Sequence, residues 1–93
     1  MWQILEHRNV LRRVRKMPKQ VLKRYEKWKD IVQLSGPDGL RPIRGFKDEP
    51  LRGEWQGHRS SRLGDQYRVI YKVEDKRLRV MVIDVTAHDY RRK

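Results

Sequence analysis

Residues 66–85, QYRVIYKVEDKRLRVMVIDV, constrain the fold more than any other stretch. Two runs rich in Val, Ile and Tyr flank the charged tetrad Glu74, Asp75, Lys76, Arg77, which is the pattern of two strands joined by a tight reversal. A two-residue turn at Asp75 and Lys76 sets Tyr71 opposite Val80, Val69 opposite Val82 and Val73 opposite Leu78, an apolar face. The same register sets Arg68, Ile70 and Lys72 opposite Ile83, Met81 and Arg79, a face part apolar and part basic. The first face is expected to be core, and the second a floor that meets an anionic partner.

A sheet with one apolar face needs a cover, and the preceding chain supplies one. Residues 1–5 are short and mostly apolar, an edge strand or the start of a helix. Asn9 is a candidate cap for a helix carrying Val10, Leu11, Val14 and Met17 along one side. After Pro18, Val21, Tyr25, Trp28 and Val32 recur at helical spacing until Gly36 and Pro37 end the pattern. Two helices with almost no loop between them fold back as an antiparallel hairpin, whose apolar side would cover Tyr67, Val69, Tyr71 and Val73. Tyr25 and Trp28 are expected in the core.

Residues 35–51, SGPDGLRPIRGFKDEPL, read as loop, and so long a connection in so short a chain is a candidate for function. Residues 54–61, EWQGHRSS, read as the strand that starts the main sheet, with Trp55 anchoring it against the helices, before a turn at Gly64 and Asp65. The expected architecture is α+β, one domain over residues 1–93, with a helical hairpin packed on an antiparallel sheet.

Charge narrows the partner. Twenty-four Lys and Arg against twelve Asp and Glu give a net charge of +12, which concentrates polyanions, nucleic acid foremost, around the surface. The same field would draw an anionic membrane or an acidic protein. The chain has no Cys, so thiolate chemistry and Cys-based zinc sites are excluded, and His7, His58 and His88 lack metal-ligand spacing. No cofactor or metal is expected. With no apolar run long enough to span a membrane and no signal-peptide pattern, the expected location is the cytoplasm.

Acid–base and electrostatic chemistry remain, and RNA is a substrate that needs nothing more. Cleavage through the 2′-hydroxyl requires a proton acceptor, a cation on the phosphorane oxygens and an acid for the 5′-oxygen. Glu49 in the loop, Arg68 opening the central strand and His88 after the last strand are the candidates. Arg68 interrupts an apolar strand with a fixed fork suited to phosphate; its alternative is a structural salt bridge to Glu49 or Glu54. The alternative for Glu49 is a turn carboxylate balancing Lys47 and Arg52, and for His88 an exposed terminal histidine.

The string PLRGEWQGHRSSRLGDQYRVIYKV, followed by VMVIDV and AHDYRRK, resembles the RelE/ParE superfamily of bacterial toxins, the toxic halves of type II toxin–antitoxin pairs. The most specific part is a Gly–Asp turn before tyrosine, arginine, two aliphatics and tyrosine. The resemblance covers nearly the whole chain and implies a short N-terminal strand, a helical hairpin and a curved antiparallel sheet. It also implies a metal-independent endoribonuclease that cuts messenger RNA in the ribosomal A site. Its partners would be the 70S ribosome with its 16S rRNA and a cognate antitoxin. One branch instead binds DNA gyrase, and a non-catalytic basic RNA-binding module is the third reading.

By this resemblance Arg68 matches the strand arginine that contacts the scissile phosphate. Glu49, in DEPLRG, matches the glutamate that the YoeB group uses as general base, where the YafQ group has histidine. His88 stands near the C-terminal proton-transfer histidine of the YafQ group. Arg62 and Gln66 replace a histidine and an aspartate of that group. Arg59, Lys72 and Arg79 are candidates for holding RNA backbone, and Tyr90 for stacking a base or serving the site beside His88.

Overall fold

In the computed structural model, described here over residues 1–87, two helices cover one face of a five-stranded mixed sheet ordered β1-β5-β4-β3-β2. The strands are β1 (Gln3–Glu6), β2 (Glu49–Pro50), β3 (His58–Arg62), β4 (Arg68–Glu74) and β5 (Arg79–Thr86). From β2 to β5 the pairing is antiparallel throughout, as expected, while β1 lies parallel along the β5 edge. The 1–5 segment therefore resolves as strand, and its Trp2 and Ile4 pack against the core.

The helices are α1 (Arg8–Val14) and α2 (Lys19–Ser35). Val21, Tyr25, Trp28 and Val32 are all buried, and Trp28 meets Tyr71 edge-on with ring centres 5.2 Å apart. Burying indole and phenol on a valine-lined sheet is the main apolar stabilisation available to so small a chain. Tyr25 closes the layer at the other edge by donating to Glu6 Oε2 at 2.7 Å. Two details of α1 differ from the sequence reading. His7, not Asn9, caps it, its Nδ1 accepting the Asn9 N–H at 3.2 Å, and Leu11 is half-exposed because the helix buries mainly Val10 against β5.

The hairpin keeps its two faces but not its turn. Asp75–Arg77 form a 3₁₀ turn and Leu78 adopts a left-handed backbone, so the loop takes four residues and Tyr71 faces Val82 while Val73 faces Val80. A bulge then leaves Ile83 without a partner, so that Val69 pairs with Val85 and Arg68 with Thr86.

Two other expectations are corrected. The 35–51 stretch is not plain loop: Pro37–Leu40 and Arg44–Phe46 form 3₁₀ turns that drive Leu40 and Phe46 fully into the core, and Glu49–Pro50 pair with β3. The strand expected at Glu54 begins instead at His58. Trp55 lies in a Gly53–Trp55 turn against the His58 ring, 5.3 Å between centres, rather than against the helices.

Candidate functional site

Strand alternation sorts the basic residues before any contact is measured. Val69 and Tyr71 face the helices, so Arg68, Ile70 and Lys72 face away, and the register adds Ser60 and Glu49 to that second face. There Arg68 Nη2 lies 3.3 Å from Glu49 Oε2, and Nη1 donates to Ser60 Oγ at 2.8 Å. Two residues singled out separately, nineteen positions apart in the chain, thus form one site.

Arg68 is only 4% exposed, and Ile70 beside it is fully buried. The far face is therefore less open than the sequence suggested, and Met81 and Ile83, which the expected register put on that face, are half-buried. The more accessible member of the pair is Glu49, whose side chain is 36% exposed. The contact the structure shows for Arg68 is thus the salt bridge to Glu49 that was weighed as the alternative to phosphate binding.

The neighbour of Glu49 explains how this carboxylate is held. Asp48 points to the opposite side, its side chain 1% exposed. Its Oδ2 accepts from Arg59 Nε and Nη2 at 3.0 and 2.7 Å; its Oδ1 accepts from Ser61 Oγ at 2.7 Å and from the Tyr71 hydroxyl. Trp28 Nε1 donates in turn to Ser61 Oγ at 3.0 Å, tying α2 to the same cluster. Burial raises the Tyr71 pKa, and Asp48 raises it further against the opposing Arg59 cation, so the phenol stays a neutral donor. Burial also opposes the Arg59 charge, but Asp48 outweighs it and leaves the guanidinium above its ordinary pKa.

Arg59, a candidate for RNA contact, thus sits on the helix side as Asp48's partner, away from Arg68. Arg62 is the register partner of Arg68, Gln66 is exposed in the β3–β4 connection, and Lys72 is exposed on the Arg68 side. Arg79 is paired with Glu74 at 2.9 Å; that bond lowers the Glu74 pKa and raises that of Arg79. His88 and Tyr90 lie outside the described residues.

The sequence reading missed two residues. Asp48 carried one legible signal: as the immediate neighbour of Glu49 in an extended segment, it must face the other way. His58 was read only for metal spacing. It shares the Arg68 side through its pairing with Lys72, and its Nδ1 is buried with no hydrogen-bond partner among the described residues. No group of three His, Cys, Asp or Glu is assembled for a metal among those residues, and no helix there is long and apolar enough to cross a membrane.

No protein-family model matches the chain. An archaeal RelE in complex with RelB from Pyrococcus horikoshii OT3 superposes with a TM-score of 0.72, covering 99% of this chain and 97% of that one at 24% identity. A YoeB/ParE toxin from Agrobacterium tumefaciens gives 0.73, covering 94% and 99% at 19% identity. The chain has the RelE/ParE toxin fold. Within that fold the mRNA interferase toxin YafQ of Escherichia coli K12 is 44% identical over 34 residues. The match spans 37% of this chain and 37% of that relative, little more than a third of its length. In this chain the Glu49–Arg68 pair lies on the sheet face opposite the two helices.

Proposed function

We propose that the chain is a ribosome-dependent endoribonuclease toxin that cuts messenger RNA in the ribosomal A site, in the cytoplasm. The observation that carries this reading is the 3.3 Å pairing of Glu49 with Arg68, a proton acceptor and a phosphate-binding fork held side by side. The partial match to a protein named an mRNA interferase supports the same substrate.

On this reading substrate exchanges the internal ion pair for two contacts with RNA. Glu49 takes the 2′-hydroxyl proton as that oxygen attacks the adjacent phosphorus, and Arg68 turns its fork to the non-bridging oxygens as their charge grows. Ser60 steadies the guanidinium through Nη1. The 5′-oxygen leaves with a proton from His88, assigned on sequence position alone: it follows two residues after Thr86, the register partner of Arg68. The products are a 2′,3′-cyclic phosphate and a 5′-hydroxyl. DNA, without the 2′-hydroxyl, is inert to this route.

A cognate antitoxin is proposed as the second partner. The archaeal RelE neighbour was solved with RelB, and a basic surface suits an acidic segment that folds on binding. The reading is tested by producing the protein in a cell-free translation system and mapping message 5′ ends, with Arg68→Ala and Glu49→Gln alongside. New ends at codon boundaries are expected with the unaltered protein and few or none with either variant. Translation proceeding with no new ends would overturn the nuclease assignment.

A further inference from the structure

A cleft of about 680 Å³ opens between the start of α2, the Arg44–Phe46 turn and the β3–β4 connection. Three cations line it, Arg24, Lys47 and Arg62, against the single carboxylate of Asp65. None of the three forms an ion pair among the described residues. Other cations of the chain, Arg8 and Lys23 among them, also lack an ion pair among the described residues; what distinguishes these three is that they converge on one concavity.

Arg24 is also held in place. Its guanidinium carbon lies over the Phe46 ring, 4.4 Å from the centre, a cation–π contact that favours this position of the side chain. Gly45 makes this possible: a Cβ there would come within 2.4 Å of Arg24 Nη2. Gly45 is not among the glycines with positive φ, so a Cβ there is opposed by the tip of the Arg24 side chain, which would have to move aside. The three nearest atoms to that Cβ all belong to Arg24.

We propose that this cleft binds the phosphodiester backbone of single-stranded RNA beside the scissile phosphate, with Arg24 as its fixed anion contact and Lys47 and Arg62 completing the track. Arg62 joins the cleft to the cleavage site, because it pairs across the strands with Arg68. Tyr67 is the one aromatic in the lining, half-buried and packed against the core, and a nucleobase stacks on such a ring better than a carboxylate side chain does. The inference rests on the nuclease reading only for the identity of the polyanion.

The test is fluorescence anisotropy of the full chain with a labelled single-stranded RNA bearing 2′-O-methyl groups throughout, which cannot be cleaved. Arg24→Gln and Arg62→Gln are each expected to weaken binding about 3- to 10-fold, and to reduce the slope of log affinity on log salt by about 0.7, one single-strand phosphate contact. Gly45→Ala, which keeps every charge, is expected to weaken binding several-fold with an unchanged Tm, because its methyl displaces Arg24. Arg12→Gln, an equal loss of charge on the exposed side of α1, is the control and is expected to change binding less than twofold.

Wild-type affinity for Gly45→Ala, or a loss in Arg24→Gln no larger than in the control, would overturn the cleft. So would a polyglutamate peptide that binds as tightly as the RNA with the same dependence on Arg24. Because this RNA cannot be cut, failure of the cleavage assignment would leave the binding result intact, and loss of the cleft would leave cleavage at Arg68 to stand.

Discussion

Replacing Asp48 with alanine tests whether the buried cluster sets the geometry of the site. Asp48 accepts four hydrogen bonds, two from Arg59 and one each from Ser61 and Tyr71. Arg59 has a side chain 23% exposed and can turn part of its charge to water, but the two hydroxyls lie among core residues. Breaking a buried ion pair by removing one partner costs about 3–5 kcal/mol, and each orphaned hydroxyl contributes about 1 kcal/mol or more within that sum. At about 4 °C or more per kcal/mol for a chain of this size, Asp48→Ala should lower Tm by at least about 12 °C. Thermal unfolding followed by circular dichroism measures it.

The same variant separates positioning from stability. With Asp48 gone, the segment carrying Glu49 loses its buried polar anchor and is held by its short pairing to β3 and by the Glu49–Arg68 contact, so cleavage should fall well below wild type even at a temperature where the variant is fully folded. Asp48→Asn, which preserves shape and loses charge, should lie between the two on both measures. A Tm within about 3 °C of wild type for Asp48→Ala would refute the reasoning, since a shift that small is below the cost of one orphaned buried hydroxyl.

Two further outcomes follow from other buried groups. Tyr25 and Tyr71 both have raised pKa values, burial being the larger cause and Glu6 and Asp48 respectively adding to it. Their phenols ionise in the unfolded chain first, so stability is full below about pH 10 and is lost as pH rises above it; each contributes about 1.4 kcal/mol per pH unit there. Urea titrations at successive alkaline pH values should show Tyr71→Phe removing one such increment of slope, and an unchanged slope would contradict this. At Gly36, φ is +74° and a Cβ would lie 2.5 Å from Trp2 Nε1. Gly36→Ala should therefore cost about 2–3 kcal/mol and loosen the N-terminal edge, read as faster amide exchange at Trp2, whose N–H bonds to Gln33 O.

Face assignment was legible in the sequence because it depends only on parity. Tyr71, Val73, Val80 and Val82 fall on one face whether the turn takes two residues or four, so the core emerged correctly while the register did not. The bulge at Ile83 has no Gly or Pro to mark it in the run VMVIDV, and it sets the partner of Arg68. Arg59 was grouped with the RNA-facing cations without regard to its place in the strand; once Ser60 is seen to face Arg68, alternation puts Arg59 on the helix side. For Asp48 only the parity beside Glu49 was legible; its burial was not, since its partners lie 11, 13 and 23 residues away. The core role of Phe46 was obscured by the Gly and Pro around it, which mark turns correctly and say nothing about what a turn buries.

The most direct measurement of the central claim is single-turnover cleavage on ribosomes programmed with a message that carries one 2′-deoxynucleotide at the cut position, beside the all-ribose message and the Arg68→Ala variant. Loss of that one hydroxyl and loss of that one guanidinium are each predicted to abolish cleavage at the site, with a cyclic phosphate end appearing only from the unaltered pair. Cutting of the deoxy-substituted message at an undiminished rate would contradict it.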